Sequence, residues 1–586
     1  MSRLLLFSLL IGLIGCQSSP PETPPPNVLL ILTDDQGYGD LSLHGNDSID
    51  TPVLDQFANQ AVRLNQFHVS PVCAPTRASL LTGRYHLRTG TFWVTRGTEN
   101  MRPEETTMAE VFGENGYATG LFGKWHNGAH YPHDPNGQGF DEFIGFCSGH
   151  WTNYFDTPLQ AQDSMIQTEG FITDVLTDRA IDFIERKKEQ PFFCYVPLNA
   201  PHGPFQVPDR YFDKYKSRGL TDRNAAIYGM IENVDENVGR LLESLDRLQI
   251  TNNTIVIFIT DNGPNGDRFN GGMKGRKAQV HLGGHRVPCF VHFPDVIGGG
   301  KIIEETAAHI DILPTLMTLC GLETSKPLQF DGQDLSALLT GMDDSLANRR
   351  IFTHMNHGDH LMEYPAAVRD DAYHFVANQA EEPELYDLRT DYGQQHNLAD
   401  SLPELTAQYH QAYRDWFADV SQGIESFRSI PIGYAAAPRV SLPAHEARIS
   451  GPSIRYKHDK NGWAHDWVID WKDEQDQMKW QIEAVQAGEF EVLILYANEG
   501  SRPGTRLTLS TADQQISQII DSIYIPTKIP SPDRVPDRIE AFDQSWASLQ
   551  LGTIMLPQGQ HELVLRAENI PDDRLGEIKG MVLVKK

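Results

Sequence analysis

The sequence predicts an α/β fold: a mixed, largely parallel sheet sandwiched by helices, then a small α+β subdomain and an appended C-terminal β-sandwich. Three observations carry this. The runs Val28-Leu-Leu-Ile-Leu-Thr33, Pro191 to Pro197 and Ile255-Val-Ile-Phe-Ile-Thr260 are near-continuous β-formers, as parallel strands buried on both faces must be. Helix-periodic stretches separate them, at Pro52–Phe67, Phe171–Lys188, Ala225–Leu248 and Ile310–Leu319, and such alternation builds a sheet covered by helices. Beyond the Pro/Ala-rich stretch at Ile430–Pro443 the pattern changes to polar–apolar alternation at Trp480–Val485, Phe490–Tyr496, Arg506–Ser510 and His561–Arg566. Gly or Pro turns separate these runs and no comparable helix interrupts them, which is the pattern of a sandwich.

A chain of 586 residues exceeds a single core, so about two or three domains are expected. The boundaries read as 1–26 for a leader and tether, 27–347 for the main α/β domain, 348–425 for the α+β subdomain and 426–586 for the sandwich. In the subdomain, a Tyr386–Asp391 turn precedes a helix near Leu402–Ala418. At the N-terminus, Arg3 precedes an apolar run from Leu4 to Ile14 that is too short to span a bilayer. It ends in Leu13-Ile14-Gly15-Cys16, which resembles the lipobox of bacterial lipoproteins, with Cys16 as the lipidated residue. The Ser/Pro-rich stretch to Pro26 reads as an extended tether. The expected location is that of an exported lipoprotein, held by lipid in the periplasm or at the outer membrane or cell surface.

The formal net charge is −29, which excludes non-specific association with nucleic acid or anionic lipid. An anionic substrate would have to be held by a local basic pocket working against the overall field. Chemistry is concentrated at strand ends, where open α/β sheets bind ligands. Asp34-Asp35 follows the first strand and Asp261-Asn262 follows the Ile255–Thr260 strand. Three carboxylates and an amide in one crevice suit a hard divalent cation, calcium more readily than zinc.

A third element is Cys73-Ala-Pro-Thr-Arg77-Ala-Ser-Leu-Leu-Thr82-Gly83. It resembles, residue for residue, the type I sulfatase signature C-x-P-x-R-x-x-x-x-T-G, and the resemblance runs from about Asn27 to Val420. It implies an alkaline-phosphatase-like fold and a formylglycine made from Cys73 by a dedicated maturation enzyme. It also implies one Ca2+ per chain, held by Asp34, Asp35, residue 73, Asp261 and Asn262. A hydrated aldehyde carries two hydroxyls on one carbon. One attacks sulfur, and the other, once deprotonated, expels sulfate by re-forming the C=O, an exit a serine lacks. Arg77 would fix the hydrate.

Gly116-Tyr-Ala-Thr-Gly-Leu-Phe-Gly-Lys124-Trp-His126 matches a second signature of that family. It implies Lys124 on the sulfate oxygens and His126 as the base. In Asn199-Ala-Pro-His202, His202 would protonate the leaving alcohol. Met273-Lys-Gly-Arg-Lys277 through Arg286-Val-Pro288 resembles M-R-G-x-K-G-x-x-x-E-G-G-x-R-x-P, making Lys277 the sulfate lysine and Lys274 the alternative if the loop is shifted. Leu282 and His285 depart from that pattern. Further substrate contacts are expected from His150, Lys274, Arg286, His354 and His357. Cys147, Cys194, Cys289 and Cys320 are expected as buried free thiols.

The expected activity is hydrolysis of sulfate esters of a sulfated glycan, an algal one such as ulvan or carrageenan first. The alternatives are an arylsulfatase-like enzyme, a phosphate or phosphonate ester hydrolase of the same superfamily, or an inactive glycan-binding lipoprotein. The sandwich, with Trp463, Trp467, Trp471 and Trp480, resembles carbohydrate-binding modules. It is expected to act as a separable domain, dispensable for small substrates.

Overall fold

The structure, a computed structural model, describes residues 24–343, 345–424, 428–458, 462–571 and 574–586. The lipobox and Cys16 lie outside the described residues. Among those described, no helix is long and apolar enough to cross a membrane.

Ten strands form the main sheet: β1 (Asn27–Thr33), β2 (Val62–His68), β3 (Ala118–Lys124), β4 (Glu142–Phe146), β5 (Pro158–Ala161), β6 (Ser164–Gln167), β7 (Phe192–Pro197), β8 (Thr254–Thr260), β9 (Cys289–His292) and β10 (Ile302–Ala308). Their spatial order is β10-β2-β9-β8-β1-β7-β3-β4-β5-β6. The centre β8-β1-β7-β3-β4 is parallel, whereas β9 and the β5–β6 edge run antiparallel. Every residue of β1, β3, β7 and β8 is buried. Each large apolar side chain sealed in this way contributes about 1.5–3 kcal/mol relative to exposure. Helices Ile172–Lys187 and Asp222–Leu248 belong to the core that covers one face, and Cys73–Thr82, Met108–Glu114 and Ile312–Cys320 to the core on the other.

The helical reading of Pro52–Phe67 is corrected. The helix stops at Gln60, Ala61 turns extended, and Val62–His68 is β2. Val62 and Leu64 are buried while Arg63 and Asn65 are only partly so, a period of two that a helix cannot satisfy. Cys73, Cys147, Cys194, Cys289 and Cys320 are buried free thiols.

Strands β11 (Ile351–His354), β12 (Ala366–Arg369), β13 (Tyr373–Ala377) and β14 (Pro383–Asp387) form an antiparallel sheet packed by helix Pro403–Val420. The remaining chain builds two six-stranded sheets. Their long strands include Gln477–Ala484, Gly488–Ala497, Ala547–Leu556, Gly559–Glu568 and Glu577–Lys585. Alternate residues of Gln477–Ala484 face a shared core.

The module is not a detached appendage. Arg534 donates through its backbone to Phe205 O at 2.9 Å and through its side chain to Val207 O at 2.8 Å. Gln206 donates to Ser531 and Asp533 at 2.8 and 2.9 Å, and Arg538 to Thr152 O at 2.9 Å. Trp467, Trp471 and Trp480 are buried, Trp471 and Trp480 within the sandwich core and Trp467 against Ile469 and Ala541. They are packing residues rather than the exposed platforms expected of a glycan-binding face, because the sandwich needs large apolar groups to fill its interior.

Candidate active site

Four neighbouring parallel strands deliver their carboxyl ends to one edge of the sheet. β1 ends at Asp34-Asp35, β8 at Asp261-Asn262 and β3 at Lys124, while β7 leads to Asn199 and His202. β2 runs in the same sense through two antiparallel steps, so the helix that follows it, Cys73–Thr82, starts at this edge. Pro75 falls in the first turn of that helix, where its missing N–H has no intrahelical partner to lose. Arg77 lies one turn after Cys73 and so shares its face. Gly83 closes the helix at φ 68°, donating to Ser79 O at 2.9 Å. All ten helix residues are buried, and the positive end of the helix dipole lies at Cys73.

The Cys73 sulfur and carboxylate oxygens of Asp34 and Asp261 lie within 4.8 Å of one another, as do ligand atoms of Asp34, Asp35 and His202. Asp35 adopts φ 65°. Its N–H donates to Asp261 Oδ1 at 3.1 Å, and its carboxylate accepts from Asn262 Nδ2 at 2.9 Å and Asn265 Nδ2 at 3.1 Å. Burial and the neighbouring Asp34 carboxylate push Asp261 up. Burial also works against ionised Asp35, but Lys277 and His202 overcome it and hold that carboxyl low. Asp34 Oδ1 and Asn262 Oδ1 are buried without a hydrogen-bond partner among the described residues. Crowded carboxylates with unused oxygens fit a hard cation, which would supply the missing partner.

Basic groups crowd the same point. Lys124 Nζ is 2.5 Å from Asp34 Oδ2, and Lys277 Nζ is 2.5 Å from Asp35 Oδ1. Arg77 donates to Asp261 Oδ2 and to Lys124 O. His126, at φ 65°, bonds Val94 O through Nε2 at 2.8 Å. A carbonyl only accepts, so Nε2 carries the hydrogen and Nδ1, buried and unpartnered, carries the lone pair. Burial followed by Lys124 depresses His126 well below its usual range and keeps it neutral. His202 donates from Nδ1 to Gly203 O at 2.7 Å, leaving Nε2 facing Asp35 Oδ2 at 3.8 Å.

These groups open into a cavity of about 720 Å³ whose lining includes Cys73, His126, His150, His202 and Lys277, a size ordinary for a small-molecule site. His150 lies with its ring parallel to that of His202, centroids 6.3 Å apart. The other expected substrate contacts are engaged elsewhere. Lys274 binds Glu384 and Tyr386 at 2.8 and 2.9 Å, so of the two lysines it is Lys277 that meets the carboxylate cluster. Arg286 bonds Asn65 O and lies over Tyr38. His354 is buried, bonds Met362 O at 2.9 Å and stacks on His86. None of the three lines the cavity. His357 is exposed and does not line the cavity; its ring lies 5.5 Å from that of Trp93, which does.

Trp463, one of the four tryptophans singled out in the sandwich, lines this cavity; sequence reading missed Asn265, Trp93 and Arg223 and three residues of the module, Ala464, Ile539 and Glu540, that line it too. Nothing local to the chain distinguishes them. Their position comes from the docking of the sandwich against the α/β domain.

The family profile described as "Sulfatase" matches residues 26–322, and that of "N-sulphoglucosamine sulphohydrolase, C-terminal" matches residues 277–415. The chain is 32% identical over 397 residues to the N-acetylgalactosamine-6-sulfatase of Canis lupus familiaris, covering 61% of this chain and 73% of that protein. It is 28% identical over 453 residues to the steryl-sulfatase of Rattus norvegicus, covering 61% and 75%. Among solved structures, Ps i-CgsB in complex with k-i-k-neocarrahexaose superposes with a TM-score of 0.64 at 28% identity, over 69% of this chain and 95% of that one. Strand-end carboxylates, the Cys73–Arg77 helix and these matches lead to one conclusion: the chain belongs to the sulfatase family, as a type I member of the alkaline phosphatase superfamily and a sulfuric ester hydrolase.

Proposed function

We propose that this chain is a formylglycine-dependent, calcium-requiring sulfatase that desulfates a sulfated oligo- or polysaccharide, with carrageenan-type glycans as the first class to examine. The observation that carries the mechanism is the place of Cys73: first residue of a buried helix, within 4.8 Å of Asp34 and Asp261, with Lys124 and Lys277 on the adjoining carboxylates. When bound by Asp34, Asp35, Asp261, Asn262 and residue 73, the cation would polarise a hydroxyl of the hydrated aldehyde and make it nucleophilic at neutral pH.

The chain's own groups do the rest. Lys124 and Lys277 hold the sulfate oxygens and offset their charge. Arg77 holds Asp261 in place beside residue 73 and adds positive charge there. The free Nδ1 of His126 takes a proton from the hydrate. His202, its Nδ1–H held by Gly203 O, delivers a proton to the departing alcohol from Nε2 as the imidazolium and is left neutral. The carbohydrate reading draws support from the neocarrahexaose bound in the Ps i-CgsB structure and from the amino-sugar sulfatase among the curated relatives. The N-terminal sequence supports export and anchoring through Cys16, which fatty-acid labelling lost in Cys16→Ser would demonstrate.

The test is sulfate release, by ion chromatography, from a panel of carrageenan, ulvan and glycosaminoglycan oligosaccharides, with mass spectrometry of the peptide carrying residue 73. The reading expects an aldehyde at residue 73 and sulfate release from at least one glycan. Cys73→Ala should fold and release none. Wild-type turnover by that variant would overturn the mechanism, and faster hydrolysis of phosphate or phosphonate esters would overturn the substrate class.

A further inference from the structure

The β-sandwich holds two side chains at the catalytic cavity that the sulfate chemistry does not use. Glu540 is buried, yet among the described residues neither of its carboxylate oxygens accepts a hydrogen bond. Its Oε1 lies 4.0 Å from His202 Nδ1 and crowds Gly203 so closely that a Cβ there would sit 2.3 Å from it. Trp463 is half-buried and puts a large apolar side chain into the same wall.

Both are held by nearby anchors. His465, two residues from Trp463, bonds Ser148 Oγ at 2.8 Å and faces His150 O at 3.0 Å. Lys579 holds His465 O at 2.6 Å from behind. Arg538, two residues from Glu540, bonds Thr152 O at 2.9 Å and Glu540 O at 2.9 Å. Such supports fix the backbone on which the two side chains stand, so part of the ordering cost is already met when they meet a ligand.

His202 is the group that serves the departing alcohol, and Glu540 and Trp463 line the same cavity, within which the rest of that alcohol must lie. A mostly buried carboxylate without a protein donor is an acceptor for ligand hydroxyls. An indole in a cavity wall suits the C–H face of a sugar ring. We infer that the β-sandwich forms the wall that reads the alcohol half of the substrate, with Glu540 accepting from sugar hydroxyls and Trp463 packing on a ring. This rests on the sulfatase reading and adds to it a specificity device outside the residues that handle sulfate.

Two inhibitors separate the two halves of the site. In full-length, matured protein, Ki is measured for the desulfated saccharide product and for inorganic sulfate, using the best glycan of the panel as substrate. Trp463→Ala and Glu540→Gln should each raise the saccharide Ki about tenfold or more, while the sulfate Ki stays within about twofold because that end is untouched. An unchanged saccharide Ki in both variants would overturn the inference. So would parallel loss of both inhibitors, which would mean that the wall only supports the fold. Failure of the underlying reading looks different: the wild type itself would release no sulfate from any ester.

Discussion

Arg77 and Asp261 meet as a fully buried pair, with Nη2 at 2.8 Å and Nε at 3.2 Å from the same carboxylate oxygen, Oδ2. The third arm, Nη1, donates to Lys124 O at 2.7 Å. One guanidinium thus ties the ends of β8 and β3 to the helix that carries Cys73. Arg77→Ala would leave Asp261 buried without its cation, at a cost of about 3–5 kcal/mol, read as a lower denaturant midpoint. Arg77→Lys keeps the charge but cannot make all three contacts, so it should unfold later than the alanine variant yet lose about 100-fold in kcat. Near-wild-type kcat in the lysine variant would show that the fork has no catalytic consequence.

Metal content gives an independent measurement. Elemental analysis of the purified protein should find calcium at about one ion per chain, and Asp34→Asn or Asp35→Asn should lower calcium affinity and activity together. Stoichiometric zinc without calcium would contradict the oxygen-ligand reading. The lysines make a further point. Lys124 and Lys277 sit on carboxylates that the cation would claim, so chelation should weaken inhibition by sulfate as well as abolish turnover.

A pH dependence of stability follows from the buried histidines between β2 and the small sheet. His68 Nδ1 lies 3.1 Å from His285 Nδ1, Arg369 bonds the other side of His68, and Gln394 bonds His374 at 2.9 Å. Burial, then Arg369, pushes His285 from the ordinary 6.5 to about 3, and burial likewise drives His68 and His374 far down. Below pH 6.5 the unfolded chain takes up protons that the folded chain refuses. Stability is therefore full above that pH and falls on acidification toward about 3, by about 1.4 kcal/mol per pH unit for each histidine. Thermal midpoints measured from pH 7.5 to 5 should drop, and His285→Gln should flatten the slope. An equal slope in that variant would exclude the cluster as its source.

Truncation after Val420 is now expected to be damaging even for small substrates. It would remove Trp463 and Glu540 from the cavity and uncover Phe205, Gln206 and Val207, which the module covers. Sulfate release from a sulfated monosaccharide should fall at least about tenfold, or the protein should aggregate. Undiminished turnover by a monomeric truncated protein would show the docked wall to be dispensable.

The site was legible where its chemistry is contiguous. Asp34-Asp35 and Asp261-Asn262 sit at the ends of strongly apolar strands, and the spacing of Cys73 and Arg77 is one helical turn, so local rules placed them together. Lys274 and Lys277 could not be separated along the chain, because each is a lysine in one glycine-rich loop. Only packing shows that Glu384 takes the first and Asp35 the second. Val62–His68 was misread because Pro52–Gln60 supplied a strong helical period whose end no Gly or Pro marks. In the wall, Trp463 stood out only as one of four tryptophans of the sandwich, and Glu540 had no local signal at all. The wall's partners, Ser148, Thr152 and Gly203, are separated from it by hundreds of positions in the chain, and pairwise docking at that range leaves no periodicity to read.

Asp35 and His126 both stand at φ 65°, in a region that L-residues with side chains occupy at a cost of about 1–2 kcal/mol each. The left-handed turn brings the Asp35 carboxylate to the Asp34–His202 cluster and the His126 ring to the cavity wall. Glycine at either position would relieve the backbone, and at position 35 it would also relieve repulsion among the carboxylates. Selection for thermal robustness alone would therefore tend to disarm the enzyme, and thermostable variants recovered without an activity screen should be inspected first at these two positions.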